Sequence, residues 1–461
     1  MLREFEVSNY LSFGTKQRCS FRAPASFAAK KGFVASLSRD ALAAYVTAVG
    51  PNASGKSNLL NALSFLLWFI HHSWNIGPDD GIPNLKTFLF DDVSNRKPTE
   101  FLLEVENILS GTRYRYELVI QNEEIIKEVL FQKNIKKQWR CIFGREKHIN
   151  NEYTYELAKD IGITYDKNDF LPNASYVSIL RRKNVSAIKD FLQLTTYACS
   201  IHRKFSSKED NNSCKKNTTC EECITKKISE SDELATFINE FFALIDAGIE
   251  IRPEEDTVTA NKLVKLKKGH EENIKHYEKV MHANVTSNRE ISDELKELKI
   301  RLDNTAESLK KISEDATNLI LYAQHKVGAK NYSINFSEES HGLQALIPML
   351  IYSHRLFKEG GILIYDEIER SLHSLVLPVL ISLFSDSRKN EKHAQLICTT
   401  HNVHFLKQLN KYQILLVEKN LERQTNIWRL ADMQKLRAED NYVTRYLAGA
   451  YGAIPKTQSG D

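Results

Sequence analysis

The segment 50–57, with the sequence GPNASGKS, constrains the fold of this 461-residue chain more than any other segment. It matches the pattern G-x-x-x-x-G-K-[ST], follows the apolar run 45–49 and precedes residues 58–69, whose leucines recur at helical spacing. Its two glycines let the backbone curve so that successive N–H groups point toward bound phosphates, and the start of a helix adds a partial positive charge. The sequence therefore predicts a phosphate-binding loop between a buried strand and a helix.

The side chains of this loop have distinct predicted roles. Lys56 is expected to contact the β- and γ-phosphates of ATP, and the Ser57 hydroxyl is expected to ligate Mg²⁺. The whole loop and the residue after it contribute to nucleotide binding, which gives the predicted set Gly50, Pro51, Asn52, Ala53, Ser54, Gly55, Lys56, Ser57 and Asn58.

Two later segments end in polar groups that complement such a loop. The apolar run 362–365 is followed by Asp366 and Glu367, and the run 395–400 is followed by His401. Ligands bind at the carboxyl ends of strands in open α/β sheets. Asp366 is therefore predicted to hold Mg²⁺ and Glu367 to polarise the water that attacks the γ-phosphate. His401 is predicted to contact the γ-phosphate, because an imidazole both donates and accepts hydrogen bonds.

The periodic segments divide the chain into three parts. Residues 1–133 contain an N-terminal hairpin, the phosphate loop and an antiparallel meander, residues 134–317 form an insertion, and residues 318–461 alternate strands and helices. This pattern predicts an α/β fold with a doubly wound, mostly parallel sheet, an antiparallel β subdomain and an inserted helical arm. Between 291 and 316, apolar residues recur every three or four positions. That spacing is typical of a coiled coil, or of an amphipathic helix packed on the core.

Composition narrows the class of protein. The net charge of +4 is too small to require a nucleic-acid partner, although a local basic face is compatible with it. The sequence has no apolar run long enough to span a bilayer, and Glu4 and Glu6 argue against a secretory leader. Seven cysteines in such a sequence fit a reducing compartment. A cytoplasmic protein without membrane contact is expected.

Two clusters in the insertion have alternative interpretations. The first cluster is a group of cysteines and one histidine within 25 residues: Cys199, His202, Cys214, Cys220 and Cys223. These side chains are either reduced surface residues or ligands of Zn²⁺. The basic cluster 181–183 is typical of a solvated surface, with phosphate contact as the alternative.

The motifs resemble those of ABC-type ATPases of the RecF, SMC and OLD group. The segment 366–373, DEIERSLH, resembles the Walker B motif and D-loop, and 399–402, TTHN, resembles the switch-histidine segment. In this group two heads enclose two ATP molecules. The segment 339–344, ESHGLQ, resembles a variant of the signature, which implies that Ser340 and Gly342 contact the γ-phosphate bound by the opposite subunit. The group's Q-loop glutamine is not evident between residues 70 and 100.

The resemblance extends to the abortive-infection ATPase family, which includes the ATPases of PARIS-type anti-phage systems. This resemblance rests on four segments: the opening segment 5–13, the turn 98–99, the segment 127–130 and the tail 446–455. It implies homo-oligomers built from head-to-head ATPase dimers, and a phage-encoded trigger protein. OLD-type proteins carry a Toprim nuclease after the head. Because only about 60 residues follow His401, fewer than a typical domain contains, the expected nuclease is a separate chain.

The leading hypothesis is therefore a cytoplasmic ATPase that senses phage and holds or releases a Toprim-type toxin. The alternative is a RecF- or SMC-like ATPase that binds DNA directly in repair. The energy subunit of a transporter is a third possibility, which the helical arm, the unusual signature and the long insertion disfavour.

Overall fold

The computed structural model describes the residues 1–91, 94–135, 137–150, 152–158, 171–200, 221–255, 265, 267–276, 300, 302, 304, 306, 319–370, 372–433 and 441–455. The chain divides into two compact units, of which the first comprises Met1–Asn212 and Met349–Asp461 and the second Ser213–Pro348.

Short strands dominate the described residues. In chain order they are β1 (Leu2–Ser8), β2 (Gln17–Ser20), β3 (Arg22–Pro24), β4 (Phe33–Ala35), β5 (Asp40–Ala43), β6 (Tyr45–Val49), β7 (Thr99–Glu106), β8 (Arg113–Gln121), β9 (Glu124–Lys133), β10 (Arg140–Lys147), β11 (Tyr153–Leu157), β12 (Tyr197–Ser200), β13 (Ile249–Glu255), β14 (Leu319–Val327), β15 (Lys330–Asn335), β16 (Ile362–Tyr365), β17 (Gln395–Thr399), β18 (Ile414–Lys419) and β19 (Thr425–Arg429).

The α-helices with defined bounds are α1 (Lys56–His72), α2 (Tyr176–Arg182), α3 (Lys189–Leu194), α4 (Glu221–Ser229), α5 (Asp232–Leu244), α6 (His341–Glu359), α7 (Val376–Ser385) and α8 (Tyr442–Leu447).

The first unit contains a seven-stranded antiparallel sheet with the order β11-β10-β9-β8-β7-β1-β2. The N-terminal hairpin enters it through β1, whose Phe5 is opposite Cys19 of β2 and Leu103 of β7. Along β8 buried and half-buried residues alternate strictly. This alternation gives the sheet one apolar face, as expected for a half-buried strand.

The central sheet has six strands in the order β12-β16-β17-β6-β18-β19. The first five run parallel, and β19 is antiparallel to β18. All five residues of β6 are buried, which matches its continuous apolar run in the sequence. The expected α/β fold, with a mostly parallel sheet and an antiparallel subdomain, is confirmed.

Helix α1 lies in the core of the first unit. Fourteen of its seventeen residues are buried, so the helix is surrounded by protein rather than lying on the surface. The core cluster around it includes strands of both sheets, with Val46 of β6, Phe101 of β7 and Ile364 of β16 among its members. The helix therefore connects the phosphate loop to the packing of the whole unit.

The second unit contains the antiparallel sheet β13-β14-β15. Helix α5 begins after Ser231, whose hydroxyl accepts a hydrogen bond from the Leu234 N–H, and its buried Phe237 and Phe241 are one turn apart. The side chain of Asn239 bonds both the N–H and the carbonyl of Ile251 in β13, which fixes the helix to the sheet.

The division into units differs from the predicted boundaries at 133/134 and 317/318. Strands β10 and β11 extend the antiparallel meander, and β12 pairs with β16 in the central sheet. All three therefore belong to the first unit, while β14 and β15 pair within the second. The described residues of the predicted arm, 269–276, 300, 302, 304 and 306, are helical. Its proposed coiled-coil seam lies largely outside the described residues.

Candidate nucleotide-binding site

A pocket of about 420 Å³ lies at the carboxyl edge of the central sheet. It forms there because the parallel strands β16, β17, β6 and β18 all end at this edge, and three of them continue into lining segments. The residues that line it are Asn52, Ala53, Ser54, Gly55, Lys56, Ser57, Asn58, Glu367, His401 and Lys419. Three segments that the sequence singled out separately are thus brought together in one pocket.

The two glycines of the phosphate loop are required by close packing. A Cβ atom at Gly50 would lie 2.1 Å from the carbonyl oxygen of Val417. Gly55 has a φ of +109°, and a Cβ there would lie 2.1 Å from Thr425 Oγ1. Any other residue at Gly55 would therefore combine a left-handed backbone with a steric clash.

Lys56 is buried under the loop and is only 5% exposed. Its Nζ donates hydrogen bonds to the carbonyl oxygens of Gly50, at 2.9 Å, and Pro51, at 2.8 Å. Burial lowers its pKa from the ordinary value, and the nearby carboxylates, with Asp366 the largest contributor, oppose that shift. A buried cation held by two neutral carbonyls is well suited to bind an anion that enters the pocket.

The loop also fits a phosphate ligand by its unused polar groups. The hydroxyl of Ser54 is buried and has no hydrogen-bond partner among the described residues. Helix α1 begins at Lys56, after the left-handed Gly55, so the free N–H groups of its first turn face the same pocket region.

Thr399, the last residue of β17, organises the carboxylates that follow β16. Its hydroxyl donates to Asp366 Oδ1 at 2.5 Å and accepts a hydrogen bond from the Glu367 N–H at 2.7 Å. Glu367 itself has a φ of +50°, an uncommon left-handed conformation for a glutamate. The bonds to Thr399 hold this turn in place, so that Asp366 and Glu367 have different environments.

His401 lies beside the same turn. Its Nε2 is 3.8 Å from Glu367 Oε1, and its backbone N–H donates to Glu369 Oε1. The other carboxylate oxygen of Glu369 is buried and has no hydrogen-bond partner among the described residues. The carboxylate turn and the histidine segment are therefore joined by a direct contact between Glu369 and His401.

The model of the AAA ATPase domain family matches residues 30–406. The chain belongs to this family. A search of curated proteins found no match. Two similar solved structures are the SMC head domain from Thermotoga maritima, with 14% identity over 93% of this chain and 98% of that chain and a TM-score of 0.38, and an SmcHead bound to the C-winged helix domain of ScpA, with 14% identity over 93% and 96% and a TM-score of 0.40.

Several residues that support the pocket of this AAA ATPase were missed from the sequence. Thr425 donates to the Ser54 carbonyl at 2.9 Å, and its hydroxyl oxygen is 2.8 Å from Ser12 Oγ. Asn58, a predicted site residue, donates to Ser12 Oγ at 2.8 Å. Lys419, which lines the pocket, ends a strand next to the phosphate-loop strand. Its position at a strand end was the available sequence signal, whereas nothing near Ser12 or Thr425 indicates their mutual contact.

The predicted signature residues belong to the second unit. Ser340 is exposed, and its hydroxyl accepts a hydrogen bond from the Leu343 N–H at 3.4 Å at the start of α6. Gly342 follows in the first turn of that helix. Their predicted role toward a second subunit stays a prediction.

The zinc prediction gains no support from the described residues. Cys199 lies in β12 with its Sγ 3.4 Å from Ser64 Oγ, and Cys223 lies in α4. His202, Cys214 and Cys220 lie outside the described residues. In the part of the chain that the structure describes, no three metal-binding side chains come together. Within the same part, no helix is long and apolar enough to cross a membrane.

Proposed function

We propose that this AAA ATPase binds ATP with Mg²⁺ and hydrolyses it. The observation that carries the proposal is the meeting of Lys56, Glu367 and His401 with the phosphate loop in one pocket. Each of these groups comes from a different strand end, and together they supply a cation, a base and a hydrogen-bonding imidazole.

The residues divide the work according to their environment. Lys56 exchanges its carbonyl partners for phosphate oxygens, and Ser54 and the first N–H groups of α1 contact the same phosphates. Ser57 and Asp366 hold the Mg²⁺, which supplies positive charge against the phosphates when bound. Glu367 accepts a proton from the attacking water, and His401, 3.8 Å away, orients toward the γ-phosphate.

The nucleotide cycle serves a second purpose in this proposal. The protein forms head-to-head dimers in which Ser340 and Gly342 complete the ATP site of the partner subunit. The assembled ATPase holds a separate Toprim-type nuclease inactive and releases it when a phage-encoded protein is detected. The similarity of the segments 5–13 and 446–455 to abortive-infection ATPases supports this role. Moving such an equilibrium from 1% to 99% release requires a differential affinity of about 10⁴-fold between two states of the sensor.

Hydrolysis is tested by Glu367→Gln. The amide keeps the shape of the side chain but cannot accept the proton, so turnover is expected to fall roughly 100- to 1,000-fold while ATP still binds. The matched control is Glu146→Gln, which alters an exposed glutamate of β10. Steady-state phosphate release and ATP affinity are measured for both variants. Wild-type turnover in Glu367→Gln would falsify the assignment.

The partner role is tested by co-expression with a Toprim-type nuclease gene from the same locus. The tagged ATPase is expected to purify with the nuclease, and Glu367→Gln is expected to retain the complex when phage infects the cells. An ATPase that purifies alone with and without ATP, in cells that resist phage without the nuclease, contradicts the sensor role.

A further inference from the structure

A second cleft, of about 750 Å³, lies at the amino ends of the parallel strands of the central sheet, whereas the phosphate pocket lies at their carboxyl ends. It includes His71 and His72 at the carboxyl end of α1 and Tyr197 at the amino end of β12. Because β12 runs parallel to the strands that end at the phosphate loop, its first residue lies at the other edge of the sheet. We call this site the basic cleft, after the four cations that line it: Arg181, Lys189, Arg355 and Lys358.

The contacts of these cations leave them accessible to an anion. Arg355 is 3.8 Å from Glu359, the one carboxylate among the residues that line the cleft, and both side chains are about half exposed. Lys358 is 3.9 Å from Glu391, and this pair is equally exposed. Exposed pairs of this kind stabilise a protein by about 0–1 kcal/mol. A ligand with several negative charges can therefore compete for both cations.

Arg181 and Lys189 differ in whether their positive charge stabilises the fold. Arg181 donates to the carbonyl of His71 at 2.7 Å and so caps the carboxyl end of α1, where a cation is favourable. Lys189 is instead the first residue of α3, the end of a helix at which a cation is unfavourable. Its backbone N–H donates to the Ser186 carbonyl, but among the described residues its side chain forms no hydrogen bond or ion pair, so no contact of the side chain accounts for its charge.

The rest of the lining suits a nucleotide unit. Gln193 and Thr196 supply uncharged hydrogen-bonding groups, and Tyr197 supplies a half-buried ring. The volume lies within the range of about 300–1,000 Å³ that is usual for ligand pockets. Next to Arg181, the guanidinium of Arg182 stacks 4.7 Å above the ring of Trp74, which extends the basic surface beyond the cleft. Basic grooves that also offer aromatic rings are typical of sites for single strands.

We propose that the basic cleft binds the sugar–phosphate chain of a single-stranded nucleic acid. A flexible strand can place a phosphate between the cations and a nucleotide in the concavity, whereas a stiff duplex cannot enter a cleft of this size. The proposal does not depend on ATP hydrolysis, because its residues lie at the opposite edge of the sheet from the phosphate loop.

The test uses the full chain and a fluorescent 20-nucleotide oligo-dT strand, with binding followed by anisotropy between 50 and 200 mM salt. The double variant Lys189→Glu with Arg355→Glu removes two phosphate contacts. The logarithm of the binding constant falls with the logarithm of the salt concentration, and the magnitude of this slope is expected to decrease by about 1.4 when two contacts are lost. This decrease corresponds to roughly 25-fold weaker binding at 0.1 M salt. The matched control is Lys31→Glu, which is expected to leave binding unchanged. Lys31 is an exposed lysine in the loop before β4 and does not line the cleft.

A second double variant guards against misfolding. Lys189→Gln with Arg355→Gln removes both charges but keeps an amide that can replace the Arg355 hydrogen bond to the Tyr197 carbonyl. It is expected to weaken binding in the same direction with an unchanged melting temperature and unchanged ATP affinity. The proposal is overturned if the oligonucleotide fails to bind at 50 mM salt, if both double variants bind it as wild type does, or if a duplex of the same length binds equally well. If the wild-type protein does not bind ATP, the proposed function is wrong, whatever the oligonucleotide does.

Discussion

The two ends of helix α1 contrast in how they present positive charge. At its amino end, Lys56 is buried, held by two carbonyls and influenced by Asp366 and its neighbours. At its carboxyl end, roughly 25 Å away for a 17-residue helix, the cations of the basic cleft are exposed and weakly paired. The same helix thus separates a site that depends on exact backbone geometry from one in which charges act additively.

This difference has consequences for mutation. In the phosphate pocket the backbone and several side chains are tightly constrained by neighbours, as the close approach of Val417 to Gly50 and the hydrogen bond from Thr399 to Asp366 illustrate. A single change there is expected to displace several groups at once. In the basic cleft, the four cations come from the three helices α2, α3 and α6 and share few partners, so each change is expected to have a small and independent effect.

The largest effect is expected from Gly55→Ala. The methyl group would lie 2.1 Å from Thr425 Oγ1 at a φ of +109°, so either the loop or Thr425 must move. Backbone strain and displacement together are expected to cost on the order of 3 kcal/mol, or roughly 100-fold in ATP affinity. Titration with a fluorescent ATP analogue measures the loss.

Gly248→Ala is the matched control for this prediction. Its φ of +66° is also left-handed, but a Cβ there meets nothing within 4 Å. It is expected to lower stability by about 1 kcal/mol through backbone conformation alone and to leave ATP affinity unchanged. Equal ATP affinity in Gly55→Ala and wild type would show that the clash with Thr425 does not constrain the loop.

The sequence predicted one end of α1 far better than the other. The phosphate loop is a continuous motif whose glycines and lysine act through local backbone geometry, so its pattern is visible in eight residues. The carboxylates and His401 followed from their positions after apolar runs. The basic cleft joins residues 71–72, 181–197 and 355–359, and no periodicity brings these segments together. Only the cluster 181–183 hinted at it.

The supporting contacts of the pocket were equally hidden from the sequence. Ser12 and Thr425 are more than 400 positions apart, yet their hydroxyls meet beside the phosphate loop. The pairing of β12 with β16 also crosses a long stretch of chain, which is why the predicted boundary at 133/134 placed β12 in the insertion. Long-range pairings of this kind depend on tertiary packing rather than on local preference.

A smaller effect is expected at Glu369. Its carboxylate accepts the backbone N–H of His401, and a hydrogen bond to a charged group is worth about 1.5–3 kcal/mol. Glu369→Ala is expected to lower kcat roughly 10- to 100-fold with little change in ATP affinity, because the phosphate loop is untouched. Glu369→Gln keeps an acceptor oxygen and is expected to recover part of the loss. Identical kcat values for wild type and Glu369→Ala would contradict a positioning role.

The basic cleft offers a pH-dependent prediction at His71. Burial lowers the pKa of His71 to about 3, and its Nε2 is 3.0 Å from Thr195 Oγ1. Between about pH 6.5, the usual value in an unfolded chain, and pH 3, the unfolded state therefore binds a proton that the folded state does not. The contribution to stability is complete above pH 6.5 and is lost by about 1.4 kcal/mol per pH unit as the pH falls below it.

The measurement is urea unfolding of wild type and His71→Gln between pH 7.5 and 4.5. Glutamine does not titrate and can still donate to Thr195, so the wild type is expected to lose stability relative to the variant as the pH falls below 6.5. A constant difference between the two proteins across this range would show that His71 binds protons equally in the folded and unfolded states, so that burial does not lower its pKa.

The smallest effect, and the sharpest contrast between the two ends of α1, is expected from Lys189→Ala. Lys189 is the first residue of α3, where a positive charge opposes the helix dipole. Because its side chain forms no hydrogen bond or ion pair among the described residues, removing the charge is expected to raise the free energy of unfolding by about 0.3 kcal/mol. The same substitution is expected to weaken oligonucleotide binding about fivefold at 0.1 M salt, since one phosphate contact is lost.

Changes in the phosphate pocket are expected to lower ATP binding and local order together, whereas Lys189→Ala is expected to raise stability and lower oligonucleotide binding. Urea unfolding and anisotropy on the same preparations measure both quantities. A variant that is less stable than wild type would mean that Lys189 serves the fold, and the basic cleft would then lose its best evidence for a ligand.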